Sequence, residues 1–462
     1  MGPRRALLGT ASAVGFARIF SLVCAAFQLP LLTRSLTPDQ YSSVAIAIAI
    51  ATYFSLLSAE PVILGFERFP GTRRNRFNYR YALRSAALHL AIAAIVVALV
   101  SLPFGRLEYA VAFAGWGIGI AVNRLISLAW LMWEQPWPYA WNLAVGTGTR
   151  TAVLVWLVLS GWDPLLSLGV AGSASALAAL ALSPRLRHHL IDDDAMGRPW
   201  AFKFGASLAL ASLSYAILSN ANLLILNSFA PTTITGKYAA MLQLSTLTSG
   251  AVLGLVLTAA YPKLRRAWDA GHTVSVQGSL ATLQASCLAI AAATVIVCYA
   301  GDNFIVKLVL PAHFVSSPVL APLIMSTAFA TMGGMASWHH QLNFHVRRVA
   351  WTTGLTAAFG VSATLALTAL LGERGAAIGA LAGYGLYLVA MQKGTRLPTK
   401  TVFLALGSAI LTSGPLLTSE NQALVAVVPA LIVLIVSLLA TKENYVRSRS
   451  THALPDAVAT AQ

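Results

Sequence analysis

The chain has 462 residues, 57% hydrophobic and 10% charged, where a soluble domain carries about 25% charged residues. A mean hydropathy of +0.72 excludes a water-exposed globule. The net charge of +16 does not indicate a nucleic-acid binder, because the 31 Lys and Arg are spread thinly between long apolar runs rather than massed on one face.

The runs do not alternate as transmembrane β-strands do. Their length predicts membrane-spanning helices at about 7–32, 41–66, 82–102, 108–132, 139–160 and 164–182. A cytoplasmic linker follows over 183–203 and holds Asp192, Asp193 and Asp194. Further spans are expected at about 204–229, 237–260, 274–300, 318–342, 349–371 and 375–391, then at 401–418 and 422–440. The expected fold class is an all-α polytopic membrane protein of about fourteen helices. Two pseudo-repeated lobes, 1–182 and 204–391, would flank a central cavity. A C-terminal helix pair lies within 392–440, and the cytoplasmic tail 441–462 is expected to be disordered.

The N-terminus, Met1-Gly-Pro-Arg-Arg before an apolar run, mimics a signal peptide. The run is too long for one and reads as an uncleaved first helix. Cys24, Cys287 and Cys298 each sit inside an apolar run and read as small hydrophobes. Cytoplasmic termini satisfy the positive-inside rule. Alternation then leaves Arg34, Arg106, Lys237, Lys307 and Arg374 outside, places Arg18, Arg124 and Arg150 within spans, and puts every other Lys and Arg inside. The net charge therefore follows from topology and from attraction to anionic membrane lipids. An internal repeat pairs Leu32–Tyr41 with Leu226–Tyr238; each segment ends one span, opens the next, and leads on to a basic cytoplasmic turn.

Ionisable side chains at membrane depth are functional candidates because burying a charge in hydrocarbon is costly. Four qualify: Arg18, Glu60, Arg124 and Arg150. All lie about 9–16 Å from the cytoplasmic ends of their helices, at about 1.5 Å rise per residue. Glu60 is a candidate for ion coupling or for charge pairing, with Arg18 as the partner considered. One carboxylate cannot neutralise three arginines, so at least two need an anion, water or backbone carbonyls. The planar guanidinium fork suits phosphate. Arg18, Arg124 and Arg150 are therefore expected to bind an anionic headgroup in a cavity open to the cytoplasm. Gln28 shares a face with Arg18, and Asn142 lies near Arg150 in sequence. In the second lobe Asn220 and Asn227 share a face, and Gln243 begins a polar run. These five are expected to line the same wet cleft. His339 and His340, with His345 close by, read as interfacial packing or as a proton relay. No Walker loop, zinc motif or nucleophile elbow is present. No cofactor, no metal and no enzymatic step are expected.

Four segments then stand in a telling order: LPLLTRSLTPDQY (29–41), ITGKYAAMLQL (234–244), AYPKLRRAWDAGH (260–272) and GERGAAIGALAGYG (372–385). Over about residues 10–395 the chain resembles the polysaccharide-export and flippase branch of the multidrug/oligosaccharidyl-lipid/polysaccharide (MOP) exporter superfamily. The resemblance implies two six-helix lobes that rock between inward- and outward-open states. It implies movement of a polyprenyl-diphosphate-linked oligosaccharide to the outer leaflet of the bacterial cytoplasmic membrane. Implied partners are that lipid-linked oligosaccharide, anionic lipids, and glycan polymerases or glycosyltransferases, with no nucleic acid. In the lipid II flippase branch, cavity arginines lie on the first, second and eighth helices. Here Arg18 matches the first, the second carries Glu60, and the eighth carries only polar residues. The O-antigen or capsule (Wzx-like) branch is the closer reading. An ion-coupled drug or cation antiporter of the same superfamily, and a membrane glycan polymerase or ligase, stay open as alternatives.

Overall fold

A computed structural model describes residues 3–68, 107–132, 135–182, 199–250, 260–299 except 261–263, 266 and 269, 304–343 and 345–392. Among the described residues every regular element is helical. The third, thirteenth and fourteenth expected spans, the end of the eighth, most of the linker and the tail lie outside the described residues. The chain divides into two compact units, Met1–Asn220 with Thr232–Ala239, and Ala221–Pro231 with Ala240–Gln462.

The first unit holds α1 (Pro3–Ser35), α2 (Pro38–Arg68), α3 (Leu107–Met132), α4 (Pro136–Leu159) and α5 (Pro164–Ala181). It also holds the first part of α6 (Pro199–Phe229) and the opening turns of α7 (Thr232–Ser245). α6 starts inside the stretch expected to be linker. Proline opens α2, α4, α5 and α6, where its missing N–H has no helical partner to lose. Thr37 and Gln40 close a reciprocal capping box on α2, each side chain accepting from the other's backbone N–H at 3.3 and 3.1 Å. Asp163 caps α5, accepting from the N–H groups of Leu165 and Leu166 at 2.9 Å. Gly161, at φ +81°, makes the tight turn before it. The two repeat segments meet: Asp39 accepts from the hydroxyls of Thr232 and Thr233. Gly236 lies so close to Pro38 that a Cβ there would overlap the Pro38 carbonyl.

Small residues let these helices approach closely, as they must where lipid removes the hydrophobic drive between helices. Gly115 and Gly119 of α3 face Gly169 and Gly172 of α5, backbone against backbone. Gly117 packs on Phe54 and Ala51 of α2, and Gly148 of α4 on Phe20 of α1. Ala13 and Ala17 pack with Ala140, flanked by Phe16 and Tyr139. The order of these contacts makes α1 parallel to α4, and α2 and α5 both parallel to α3. Alternating spans require that orientation of the first and fifth, and of the second, fourth and sixth.

The second unit holds the rest of α6 and α7, a π-helical turn at Thr246–Gly250, α8 (Thr273–Tyr299), the short α9 (Phe304–Val309), α10 (Ser317–Leu342) and α11 (Val346–Gln392). α10 is the most enclosed of the apolar helices. α11 consists of two helical arms that break at Gly372, at φ +59°. There the chain reverses, and Gly375 and Gly379 pack on the backbone of Leu367 and Thr364. The eleventh and twelfth expected spans are therefore the two arms of this hairpin. Gln284 of α8 donates to the carbonyl of Met332 at 3.1 Å and to Gln392 Oε1 at 3.3 Å, so three helices share a satisfied buried amide. Among the described residues nine helices, this hairpin counted once, are long and apolar enough to cross a membrane. The protein is a multi-pass helical membrane protein.

Candidate functional site

A cavity of about 430 Å³ opens inside the first unit, walled by α1, α2, α3 and α4. All three arginines singled out by the sequence line it: Arg18 from α1, Arg124 from α3 and Arg150 from α4. Each sits on a helix whose other faces are apolar, so the polar stripes of α1, α3 and α4 turn inward together. Gln28 also lines it, and its Oε1 accepts from Thr151 at 3.4 Å. Asn123, Ser127, Thr147 and Tyr139 complete the polar wall.

Glu60 pairs with Arg124, not with Arg18. Both terminal nitrogens of the guanidinium engage the carboxylate, at 2.6 Å (Nη1 to Oε2) and 3.0 Å (Nη2 to Oε1). Glu60 is 4% exposed and does not line the cavity, whereas the Arg124 side chain is 40% exposed. A buried carboxylate needs such a partner. Arg150 lies 4.7 Å over the ring of Trp116, a cation–π distance. Trp116 is itself 4% exposed, its backbone wedged beside Gly172. Among the described residues no carboxylate pairs with Arg18 or Arg150. Among the described residues the site therefore presents two cations without a carboxylate partner and one neutralised pair.

The remaining sequence candidates are placed elsewhere. Asn142 is 2% exposed and is not on the cavity wall. Its amide donates to Asn123 Oδ1 and to Ser127 Oγ, both at 3.0 Å, so it braces two wall residues from behind. Asn220 donates to the Ala216 carbonyl at 3.0 Å and to Ser219 at 3.1 Å on its own helix, and its side chain also hydrogen-bonds Tyr53 of α2. Asn227 and Gln243 are half-buried in the second unit, and neither lines this cavity. His340 lies with Nε2 3.0 Å from the Met391 carbonyl, and His339 meets Trp268 edge-on at 5.3 Å. The first is a hydrogen bond between the ends of α10 and α11, and the second is a ring contact at the end of α10. Among the described residues no group of three His, Cys, Asp or Glu side chains could hold a metal ion.

Three features of the site escape a reading of the sequence: Asn123 and Tyr139 on the wall, and Trp116 beneath Arg150. Trp116 stands between two glycines in a Gly-Trp-Gly triplet, and that large residue flanked by close-approach positions is the available signal. The stacking predicts a graded outcome. Trp116→Leu should weaken binding of an anion in the cavity about three- to tenfold, as loss of a cation–π contact implies. Trp116→Phe should retain most of it. Titration of both variants with a soluble diphosphate ester checks this, and equal loss in both would show that the ring acts only by its bulk.

No family model matches the chain, and no curated protein matches it significantly. Solved structures do. The lipid II flippase MurJ in an inward closed conformation superposes with a TM-score of 0.62 at 10% identity, over 93% of this chain and 98% of that one. An inward-facing multidrug-resistance MATE family transporter of the MOP superfamily gives 0.57 at 12% identity, over 87% and 96%. A point mutant of the Vibrio cholerae MATE transporter VcmN gives 0.56 at 12% identity, over 91% and 98%. At these identities the likeness is one of fold: the chain has the helical fold shared by MurJ and the MATE transporters.

Proposed function

We propose that the protein is a flippase of the bacterial cytoplasmic membrane that carries a polyprenyl-diphosphate-linked oligosaccharide from the inner to the outer leaflet by alternating access. The product would feed cell-surface polysaccharide assembly of the O-antigen or capsule kind, with both termini in the cytoplasm. Glycan polymerases and glycosyltransferases are the proposed partners. No enzymatic step and no cofactor are involved.

The observation that carries this reading is the charge of the cavity. Among the described residues Arg18 and Arg150 have no carboxylate partner, and a diphosphate esterified at both ends has two negative charges, one on each phosphate. Guanidinium forks hold phosphate oxygens with paired, charge-assisted hydrogen bonds. Gln28, Asn123, Thr147 and Thr151 add neutral donors and acceptors of the kind that sugars and phosphates use. The prenyl tail would stay in lipid while the headgroup enters. For turnover the headgroup must bind the inward and outward states with comparable affinity, since a ligand that strongly favours one state traps it there. A drug or cation antiporter is the second reading, favoured by the fold likeness to MATE transporters. Against it, Glu60 is held by Arg124, and the net positive cavity repels a cation.

Proteoliposomes loaded with a fluorescent short-chain prenyl-diphosphate oligosaccharide test the proposal. Sugar accessibility is followed on each side, with and without a proton or sodium gradient. Protein-dependent movement of the glycan is the expected result. Gradient-driven efflux of a cationic dye, with no glycan movement, would replace the flippase reading with the antiporter.

A further inference from the structure

Behind the cavity wall stands a carboxylate that a pure anion receptor would do better without. Glu60 is buried, stands behind the wall, and engages both terminal nitrogens of Arg124. Arg124 nevertheless lines the cavity with an exposed edge. Its charge is thus cancelled where a ligand would meet it, while Arg18 and Arg150 keep theirs. The pair therefore fixes how many cations the cavity presents to a ligand, and in a low-dielectric wall a mismatch between that number and the ligand's charge is weakly screened.

We infer that Glu60 is the charge-selecting residue of the site: it sets the cavity to accept a headgroup with two negative charges and to reject one with three. This inference rests on the flippase reading and gives it a specificity. Three prenyl headgroups form a ladder. A prenyl phosphoryl sugar has one charge. A prenyl diphosphoryl sugar has two. A prenyl diphosphate without sugar has about three, because its terminal phosphate ionises a second time near pH 6. The last species is what a transferase leaves behind after it removes the glycan from the carrier lipid. Glu60 keeps that spent carrier from competing for the cavity. Without the carboxylate, Arg124 becomes a third free cation and the preference moves up the ladder.

The test measures binding of short-chain versions of all three probes to purified full-length protein by titration calorimetry. The unaltered protein should bind the prenyl diphosphoryl sugar tightest and the bare prenyl diphosphate about tenfold more weakly, a difference of about 1.4 kcal/mol. Glu60→Gln should reverse that order, with the bare diphosphate gaining about tenfold or more. The double variant Glu60→Gln, Arg124→Gln removes both members of the pair, leaves two cations, and should restore the original order. An unchanged order in Glu60→Gln, or a double variant that keeps the reversed order, overturns the inference. Should the single variant fail to fold, the double variant decides: the original order supports charge selection, and any other order overturns it. Absence of binding of all three probes to the unaltered protein is a different result, and it removes the flippase reading itself.

Discussion

Replacing Arg18 and Arg150 together with Gln is expected to abolish glycan movement in proteoliposomes and to weaken binding of a diphosphate headgroup by a factor of about 100 or more. The magnitude follows from the bonds lost. A hydrogen bond to a charged group contributes about 1.5–3 kcal/mol, and among the described residues these two cavity arginines have no carboxylate partner. Removing both takes away about 3–6 kcal/mol. Each single variant should lose about tenfold or more. Lys at either position should rescue only partly, since an ammonium keeps the charge but not the planar fork. Neither side chain sits in an ion pair among the described residues, so neither change strands a buried carboxylate, and the folded protein should survive. Size-exclusion profiles check the fold and headgroup titration checks the site. Full transport by the double variant would remove these arginines from the mechanism.

A second large effect is expected at the α3–α5 contact, this time on folding. A Cβ at Gly172 would overlap the Gly115 carbonyl and the Trp116 Cα, and a Cβ at Gly115 would overlap the Gly169 backbone. These neighbours are backbone atoms and cannot rotate away. Gly172→Val must therefore push two helices apart along their length. Overpacking of a tight contact costs about 1–3 kcal/mol where side chains can yield, and here they cannot. Because α3 bears Asn123 and Arg124, separation also opens the cavity wall. Gly172→Val is expected to lower the thermal midpoint in detergent by at least several degrees and to reduce the yield of monodisperse protein. Gly15→Ala and Gly334→Ala, where an added Cβ meets nothing within 4 Å, serve as controls and should leave the midpoint within a degree or two. Equal shifts in all three would mean that the α3–α5 approach is not limiting.

Much of this is legible in the residues. Long apolar runs mark the helices, and the break expected between 371 and 375 falls at the Gly372 reversal. The arginines are conspicuous because a charge on an apolar helix has few places to go. What the sequence withholds is rotation between helices. Distance from a helix end gives depth, so Arg18 and Arg124 look equivalent as partners for Glu60. Which one meets it depends on how α2 turns against α3, and that is fixed by Phe54 seating on Gly117. Asn142 leaves the cavity wall for a related reason. It lies eight residues from Arg150, which rotates it by roughly 80° around the helix, enough to turn it from the wall to the bracing layer. Trp116 gives no signal of charge at all, although it is the surface on which Arg150 rests.

The reversal at Gly372 bears on how the chain is made. Residues 346–392 form two crossings with almost no connecting loop. Arms that pack on each other through Gly375 and Gly379 satisfy their own backbones and need little else at the moment of insertion. A ribosome feeding this stretch to the membrane would deliver a paired hairpin rather than one helix followed by another. In the proposed topology its tip must travel to the far side carrying Glu373 and Arg374, adjacent and opposite in charge. Arg374 is the single basic residue at that tip, so the tip adds little to the positive-inside count that orients the neighbouring helices. The hairpin can enter without fighting the orientation already set by the chain before it.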